Sequence, residues 1–167
     1  MEERTRPEQD PLLDTFRTAV IGGRWLLVIA ATLESLLLAA TGGVPPAGWT
    51  VLGCLLLYNL ASLVLVHRLP VRRIPVLAIL ALDLLFVGAM ASVTGGAQSP
   101  FLGQCYLIIY AGALFYGLSG GLTVGFVSAL LATALTFQNP ADVAWDSFRG
   151  YVPYFLIAGA FAGFLSE

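Results

Sequence analysis

The fold is decided between Ile74 and Tyr116, in the stretch IPVLAILALDLLFVGAMASVTGGAQSPFLGQCYLIIYAGALFY. Two long apolar runs flank a short polar turn, TGGAQSP at Thr94–Pro100, and one carboxylate, Asp83, interrupts the first run. A helix that crosses the hydrocarbon core of a bilayer needs about 20 mostly apolar residues. The stretch therefore predicts two membrane-spanning helices joined by a tight turn at one membrane surface.

The composition of the whole chain agrees with lipid as its solvent. Of its 167 residues, 58% are hydrophobic and only 11% are charged, and the mean hydropathy is +0.86. Soluble domains carry about 25% charged residues. Apolar runs and short loops occupy nearly all of the chain, which leaves no room for a soluble catalytic domain. The sequence predicts an all-α polytopic membrane helix bundle with six transmembrane helices.

Two regions are expected: a polar N-terminal tail at residues 1–23 and a six-helix transmembrane domain at residues 24–167. Glycine- and proline-containing turns separate the apolar runs. The predicted spans are Trp25–Ala40, Trp49–Val66, Ile74–Val93, Phe101–Tyr116, Leu122–Phe137 and a sixth that begins near Tyr151.

The arginines predict the orientation of these spans. Four of them (Arg4, Arg6, Arg17 and Arg24) precede span one, and three (Arg68, Arg72 and Arg73) lie between spans two and three, whereas only Arg149 falls on the opposite side. Cytoplasmic loops of membrane proteins carry an excess of basic residues. We therefore expect the tail, the loop at residues 67–73 and the C-terminus to be cytoplasmic.

Three polar residues, Glu34, Asn59 and Asp83, interrupt the first three spans. Counted from the predicted inner ends of the spans at 1.5 Å per residue, all three fall roughly 12–13 Å from the cytoplasmic boundary. A carboxylate at mid-membrane costs about 2.5–3.5 kcal/mol on insertion scales, so these side chains are expected to face the bundle interior. Two interpretations stay open: a proton- or ligand-sensitive polar layer, or interhelical hydrogen bonds that fix helix register.

The turn between spans three and four has the features of a well-made helix–turn–helix. Glycines suit the end of the first helix, Ser99 is a good N-cap and Pro100 a good first helical residue. Free backbone N–H groups, Ser99 and Gln104 could also donate hydrogen bonds to a neutral, flat, carbonyl-bearing molecule dissolved in the bilayer. The predicted ligand-binding residues are Gly95, Gly96, Ser99, Pro100, Phe101 and Gln104.

Glycines recur at a spacing of four in the last two spans, at Gly117, Gly121 and Gly125 and again at Gly159 and Gly163. Small residues at this spacing allow helix backbones to approach closely. We expect tight contacts of spans five and six, inside the bundle or between the protomers of a homodimer.

An apolar helix with a central Asp, then Thr-Gly-Gly-x-x-(Ser/Asn)-Pro-Phe, then another apolar helix, resembles the N-terminal membrane region of bacterial sensor histidine kinases of the RegB/PrrB and PilS type. The matching residues are Asp83, Thr94, Gly95, Gly96, Ser99, Pro100 and Phe101, together with the Arg24-Trp25 pair that opens span one. In the RegB-like branch the motif is GGxxNPF and is associated with quinone sensing, and Ser99 stands here in place of its Asn. The resemblance implies a sensory module in the bacterial inner membrane that signals to a cytoplasmic kinase domain and a response regulator. In such kinases the phosphoacceptor helix and the ATP-binding domain follow the last span, so the resemblance implies that residues 1–167 are the sensory membrane module alone, either as part of a longer kinase or as a separate protein.

Six spans in a chain of this length also suit a different class of protein, a small substrate-binding subunit of a membrane transporter. Polar groups that could converge on a solute are sparse in the spans, which favours the sensory module. A membrane enzyme fits least, because the sequence contains no metal-ligand set, no Ser–His pair and no phosphate-binding glycine loop with a Lys. Apart from the bilayer and these protein partners, we expect no nucleic acid and no metal.

Overall fold

The computed structural model describes residues 11–40, 44–68, 76–137 and 141–166, with side chains at 21–40, 44–64, 76–137 and 149–166. Over these residues the chain is helical and contains no strand. The helices are α1 (Pro11–Ala40), α2 (Pro46–Arg68), α3 (Val76–Val93), α4 (Cys105–Thr136) and α5 (Ala141–Leu165). Two short 3₁₀ turns, Gly96–Gln98 and Pro100–Gln104, join α3 to α4. The predicted all-α fold is confirmed.

Four stretches are long and apolar enough to cross a membrane, as judged by length and composition: Ile21–Ala40, Pro46–Val64, Val76–Val93 and Pro100–Thr136. Large apolar side chains such as Leu37, Leu57 and Leu85 point outward from them and are more than half exposed. Contiguous apolar surface of this kind is expected where lipid rather than water surrounds the helices. The predicted membrane-helix character is therefore supported, and the first three stretches match the first three predicted spans.

The long helix α4 reverses direction at Gly117, whose φ of 61° and ψ of −147° are not helical. Residues on the two sides of this glycine meet: a Cβ on Gly112 would lie 2.6 Å from Cγ2 of Val124 and 3.2 Å from the carbonyl oxygen of Gly120. In a straight helix, residues eight positions apart are separated by about 12 Å. The helix is therefore a hairpin of two antiparallel arms, 105–116 and 118–136, and only glycine adopts this backbone conformation without strain.

The second arm of α4 packs tightly against α5 through glycines. A Cβ on Gly121 would collide with the carbonyl oxygen of Gly159, and a Cβ on Gly159 would collide with that of Gly121. A Cβ on Gly125 would lie 2.7 Å from the carbonyl oxygen of Phe155. The close contact predicted from the glycine spacing is confirmed, and it lies within one chain.

Several boundaries differ from the predicted ones. Helix α1 begins at Pro11, inside the predicted tail 1–23, so residues 11–23 continue into the first span as one helix. Helix α5 begins at Ala141, ahead of the predicted start near Tyr151. The tail before Pro11 and residues 69–73 of the predicted basic loop lie outside the described residues.

Candidate functional site

The turn between α3 and α4 forms the cap that the sequence predicts. Gly95 and Gly96 have positive φ values of 127° and 62°. The Ser99 hydroxyl accepts a hydrogen bond from the backbone N–H of Phe101 at 3.3 Å and shares a 2.6 Å hydrogen bond with the hydroxyl of Thr94. The Thr94 hydroxyl also lies 2.6 Å from the carbonyl oxygen of Met90. The two hydroxyls therefore join the end of α3 to the second 3₁₀ turn.

The predicted ligand-binding residues divide between the inside and the outside of this turn. Ser99 and Phe101 are fully buried, and Gly96 and Gln104 are buried as well. Gly95 and Pro100 are exposed, as are their neighbours Gln98 and Gly103. A molecule arriving from the bilayer or from the membrane surface would therefore meet the exposed group first, and Ser99 and Phe101 only after the turn had opened.

Gln104 joins this turn to the first span. Its Nε2 donates a 2.8 Å hydrogen bond to Oε2 of Glu34. Gln104 is 3% exposed, and Glu34 is half-buried. Because hydrogen bonds to a charged group contribute about 1.5–3 kcal/mol, this contact favours one position of α1 relative to the start of α4. Two residues that were predicted for separate sites, the polar layer and the ligand turn, are thus direct partners.

Asp83 pairs with Arg24. The Nη2 of Arg24 lies 3.5 Å from Oδ1 of Asp83, and both residues are buried, at 7% and 4% exposed. The Arg24 guanidinium carbon also lies 4.3 Å from the centre of the Tyr58 ring, which stacks on Phe86 at 5.3 Å. An arginine over an aromatic face is stabilised by the negative face of the ring. The cluster therefore links α1, α2 and α3.

No described contact joins Glu34, Asn59 and Asp83, the three residues predicted for one polar layer, to one another. Glu34 lies ten residues beyond Arg24 on α1, about 15 Å along a helix, and binds Gln104, whereas Asp83 binds the guanidinium of Arg24. The amide Nδ2 of Asn59 donates to the carbonyl oxygen of Leu55 on its own helix at 2.9 Å. The three residues therefore have separate partners, and their common depth stays a prediction.

A half-open groove of about 420 Å³ lies beside the buried ion pair. Residues of α1, α3, the first arm of α4 and the C-terminal end of α5 line it. Most of the lining is apolar, with Leu27, Leu80 and Leu114 among its walls and the Arg24–Asp83 pair among its few polar groups. A concave, mainly apolar site with a few convergent polar groups is the usual form of a small-molecule site.

Sequence reasoning missed Arg24 and Tyr58 as site residues. Arg24 contributes to the predicted orientation and, with Trp25, to the family resemblance, but to no predicted site, and Tyr58 carries no prediction. The available signal was the surroundings of Arg24: it stands in IGGRWLLV, with no other charge among its neighbours. An arginine inside an apolar run has to find a partner, because an isolated charge in the membrane is costly.

Among the residues that the structure describes, no group of three or more His, Cys, Asp and Glu side chains could hold a metal ion. The chemistry of the site consequently rests on one ion pair, one carboxylate–amide pair and a capped turn. Comparison of the chain with protein-family models, with curated proteins and with solved structures finds no match.

Proposed function

We propose that this chain is the membrane sensory module of a two-component sensor histidine kinase, which detects a membrane-soluble, quinone-like signal and passes it to a cytoplasmic kinase domain. The observation that carries the proposal is the double attachment of α1. Glu34 binds Gln104 at the outer turn, and Arg24 binds Asp83 about 15 Å further along the same helix. A shift of the turn relative to α1 would therefore reach the opposite end of the bundle.

The module comprises six spans in this proposal. The stretch Pro100–Thr136 would be about 55 Å long as a straight helix, well beyond the roughly 30 Å of a hydrocarbon core. The reversal at Gly117 divides it into two arms, and α5 adds a further apolar segment that packs against the second arm. With α1, α2 and α3 this makes six crossings, and the arginine distribution favours cytoplasmic ends in a bacterial inner membrane.

The ligand would bind at the outer turn, against the exposed residues Gly95, Gln98 and Pro100. Tyr106, two residues beyond Gln104, and Tyr151 are half-buried, and both pack on the buried ring of Phe155, at 5.0 Å and 5.8 Å. A ligand shifts a conformational equilibrium only when it binds the two states with different affinity. Here the two states would differ in whether the turn keeps Gln104 within reach of Glu34.

A short-chain quinone titrated against the chain in lipid nanodiscs tests the ligand site. We expect the quinone to raise the thermal unfolding midpoint of the wild-type protein and not that of Pro100→Ala or Gln98→Ala. Gly103→Ala is the matched control, since Gly103 is exposed in the same turn and a Cβ there meets no atom within 4 Å. Phe101→Ala is unsuitable, because it would remove a fully buried ring from the core. Equal stabilisation of all four proteins, or of none, would remove the turn as the ligand site.

Signal output is tested separately by fusing the chain to the cytoplasmic domains of a histidine kinase. One residue rotates a helix by about 100°, so a series of fusions with zero to three inserted residues covers one turn. We expect quinone oxidation state to change the autophosphorylation rate in at least one register, and Gln104→Leu to abolish that change. A rate that is unresponsive in every register would contradict the sensory role.

A transporter subunit remains the alternative, and the groove beside Arg24 and Asp83 would then be its solute site. The lining of this groove is mainly apolar, which favours a ligand that is already dissolved in the membrane over a water-soluble solute. Binding of a polar solute that competes with neither quinone nor lipid would favour the transporter.

A further inference from the structure

Arg24, which lines the groove beside the ion pair, carries two buried donors without an acceptor among the described residues. Arg24 uses Nη2 toward Asp83, while its Nε and Nη1 are buried and meet no acceptor among the described residues. The residue is 7% exposed and lines the groove. Leaving a buried donor unsatisfied is unfavourable, and more so when the donor is charged. An acceptor that reached Arg24 along the groove, which this residue lines, would satisfy these donors.

Charge limits the kind of acceptor. Arg24 and Asp83 together are neutral, so a neutral carbonyl oxygen would satisfy the remaining donors without adding net charge to a low-dielectric site. A second carboxylate beside Asp83 would leave one uncompensated negative charge, which is costly within the membrane. The groove therefore favours a neutral carbonyl group.

Depth and shape limit the rest of the molecule. Arg24 directly precedes Trp25, where the first predicted span begins, and tryptophans are enriched at the membrane–water interface. This is close to the boundary between hydrocarbon and headgroups, where the ester carbonyls of bilayer lipids lie. From Arg24 the groove continues between apolar walls such as Leu80, Ile108 and Leu114, which suit an alkyl chain.

We propose that this groove binds one long acyl chain, whose carbonyl oxygen accepts hydrogen bonds from Nε and Nη1 of Arg24. The carbonyl belongs either to the ester of a glycerophospholipid or to a free fatty acid in its neutral form. The site is separate from the outer turn, and it does not depend on the sensory role proposed above.

The experiment compares lipids that differ only in the carbonyl. The chain is purified in detergent, offered diester or diether phosphatidylcholine with the same chains, and examined by native mass spectrometry for retained lipid. We expect one tightly retained diester molecule and about tenfold weaker retention of the diether, which lacks the acceptor. Retention of the diether equal to that of a retained diester would overturn the proposal.

A second part of the experiment tests whether a free fatty acid displaces the retained phospholipid. Displacement of the diester by oleic acid and not by oleyl alcohol would assign the carbonyl to a fatty acid, and failure of both to displace it would assign it to the phospholipid ester. If neither the diester nor oleic acid is retained by the wild-type chain, the proposal is wrong.

Two variants check the location. Arg24→Met combined with Asp83→Leu removes both charges together and should reduce diester retention to the level of the diether. Ala111→Leu fills the groove without touching either charge, so it keeps the test valid if the double variant fails to fold. Cys54→Leu, at an exposed position of α2 outside the groove, is the control and should retain lipid like the wild type. Retention by Ala111→Leu equal to that of this control would place the lipid elsewhere and overturn the proposal.

Discussion

The amide Nε2 of Gln104 donates a 2.8 Å hydrogen bond to the carboxylate oxygen Oε2 of Glu34, and this single bond joins the start of α4 to the middle of α1. Both residues belong to apolar helices whose other contacts are mostly between hydrocarbon groups. In such surroundings a polar contact is specific in a way that apolar packing is not, because only one relative position of the two helices satisfies it.

Gln104→Leu should destabilise the bundle by about 1–3 kcal/mol, because Glu34 loses its donor in a half-buried place. Equilibrium unfolding in mixed micelles would measure this as a lower midpoint of the denaturing detergent. Gln98→Leu is the matched control, since Gln98 is exposed in the preceding turn. If the two variants unfold at the same midpoint, the bond contributes nothing measurable.

The ion pair gives a second prediction. Arg24→Met or Asp83→Leu alone leaves one buried charge without its partner, which we expect to cost about 3–5 kcal/mol. The double variant restores neutrality and keeps the volume approximately, so it should recover most of the loss. A double-mutant cycle of unfolding free energies measures the coupling. Additive losses from the two single variants would mean that the 3.5 Å contact carries no interaction energy.

Much of the local architecture could be predicted from residue types alone. The first three spans followed from apolar run length, and the capping role of Ser99 followed from its place before Pro100. The turn between the predicted spans Phe101–Tyr116 and Leu122–Phe137 is made by Gly117 alone, while Gly120 and Gly121 stay helical and serve helix packing. Glycine content indicates where a chain can turn, but not which glycine adopts the positive φ.

The site was less predictable, for a physical reason. Hydropathy gives the length of a span but not its axial position relative to another span, and a shift of one turn moves a side chain by about 5.4 Å. The predicted common depth of Glu34 and Asp83 accordingly did not reveal that each binds its own partner, Gln104 and Arg24. Pairing across helices depends on this offset, so residue spacing along the sequence could not reveal it.

Glycine packing gives a third prediction. Gly121→Ala and Gly159→Ala each place a methyl group against a backbone carbonyl oxygen of the other helix, and backbone cannot move aside as a flexible side chain does. We expect each to lower stability by about 1–3 kcal/mol, as overpacking does in a close-packed interior. Gly53→Ala meets no atom within 4 Å and is the control. It should be neutral or slightly stabilising, because alanine favours helix.

The reversal at Gly117 leads to a prediction about topology that does not depend on which end of the protein is cytoplasmic. Single cysteines are introduced at Gln98, Ser119 and Phe137, all of them exposed positions, in a Cys54→Ala background that removes the exposed native thiol. Because α4 folds back on itself, Gln98 and Phe137 should lie on one side of the membrane and Ser119 on the other.

In intact cells, an impermeant maleimide should label Gln98→Cys and Phe137→Cys alike. If the arginine loop is cytoplasmic, it should label Ser119→Cys only after the cells are opened. Opposite labelling of Gln98→Cys and Phe137→Cys would mean that Pro100–Thr136 crosses the membrane once, and that the hairpin does not form there. Cys105, the second native cysteine, is buried in the folded bundle. Repeating the labelling in a Cys105→Ala background excludes any signal from its thiol.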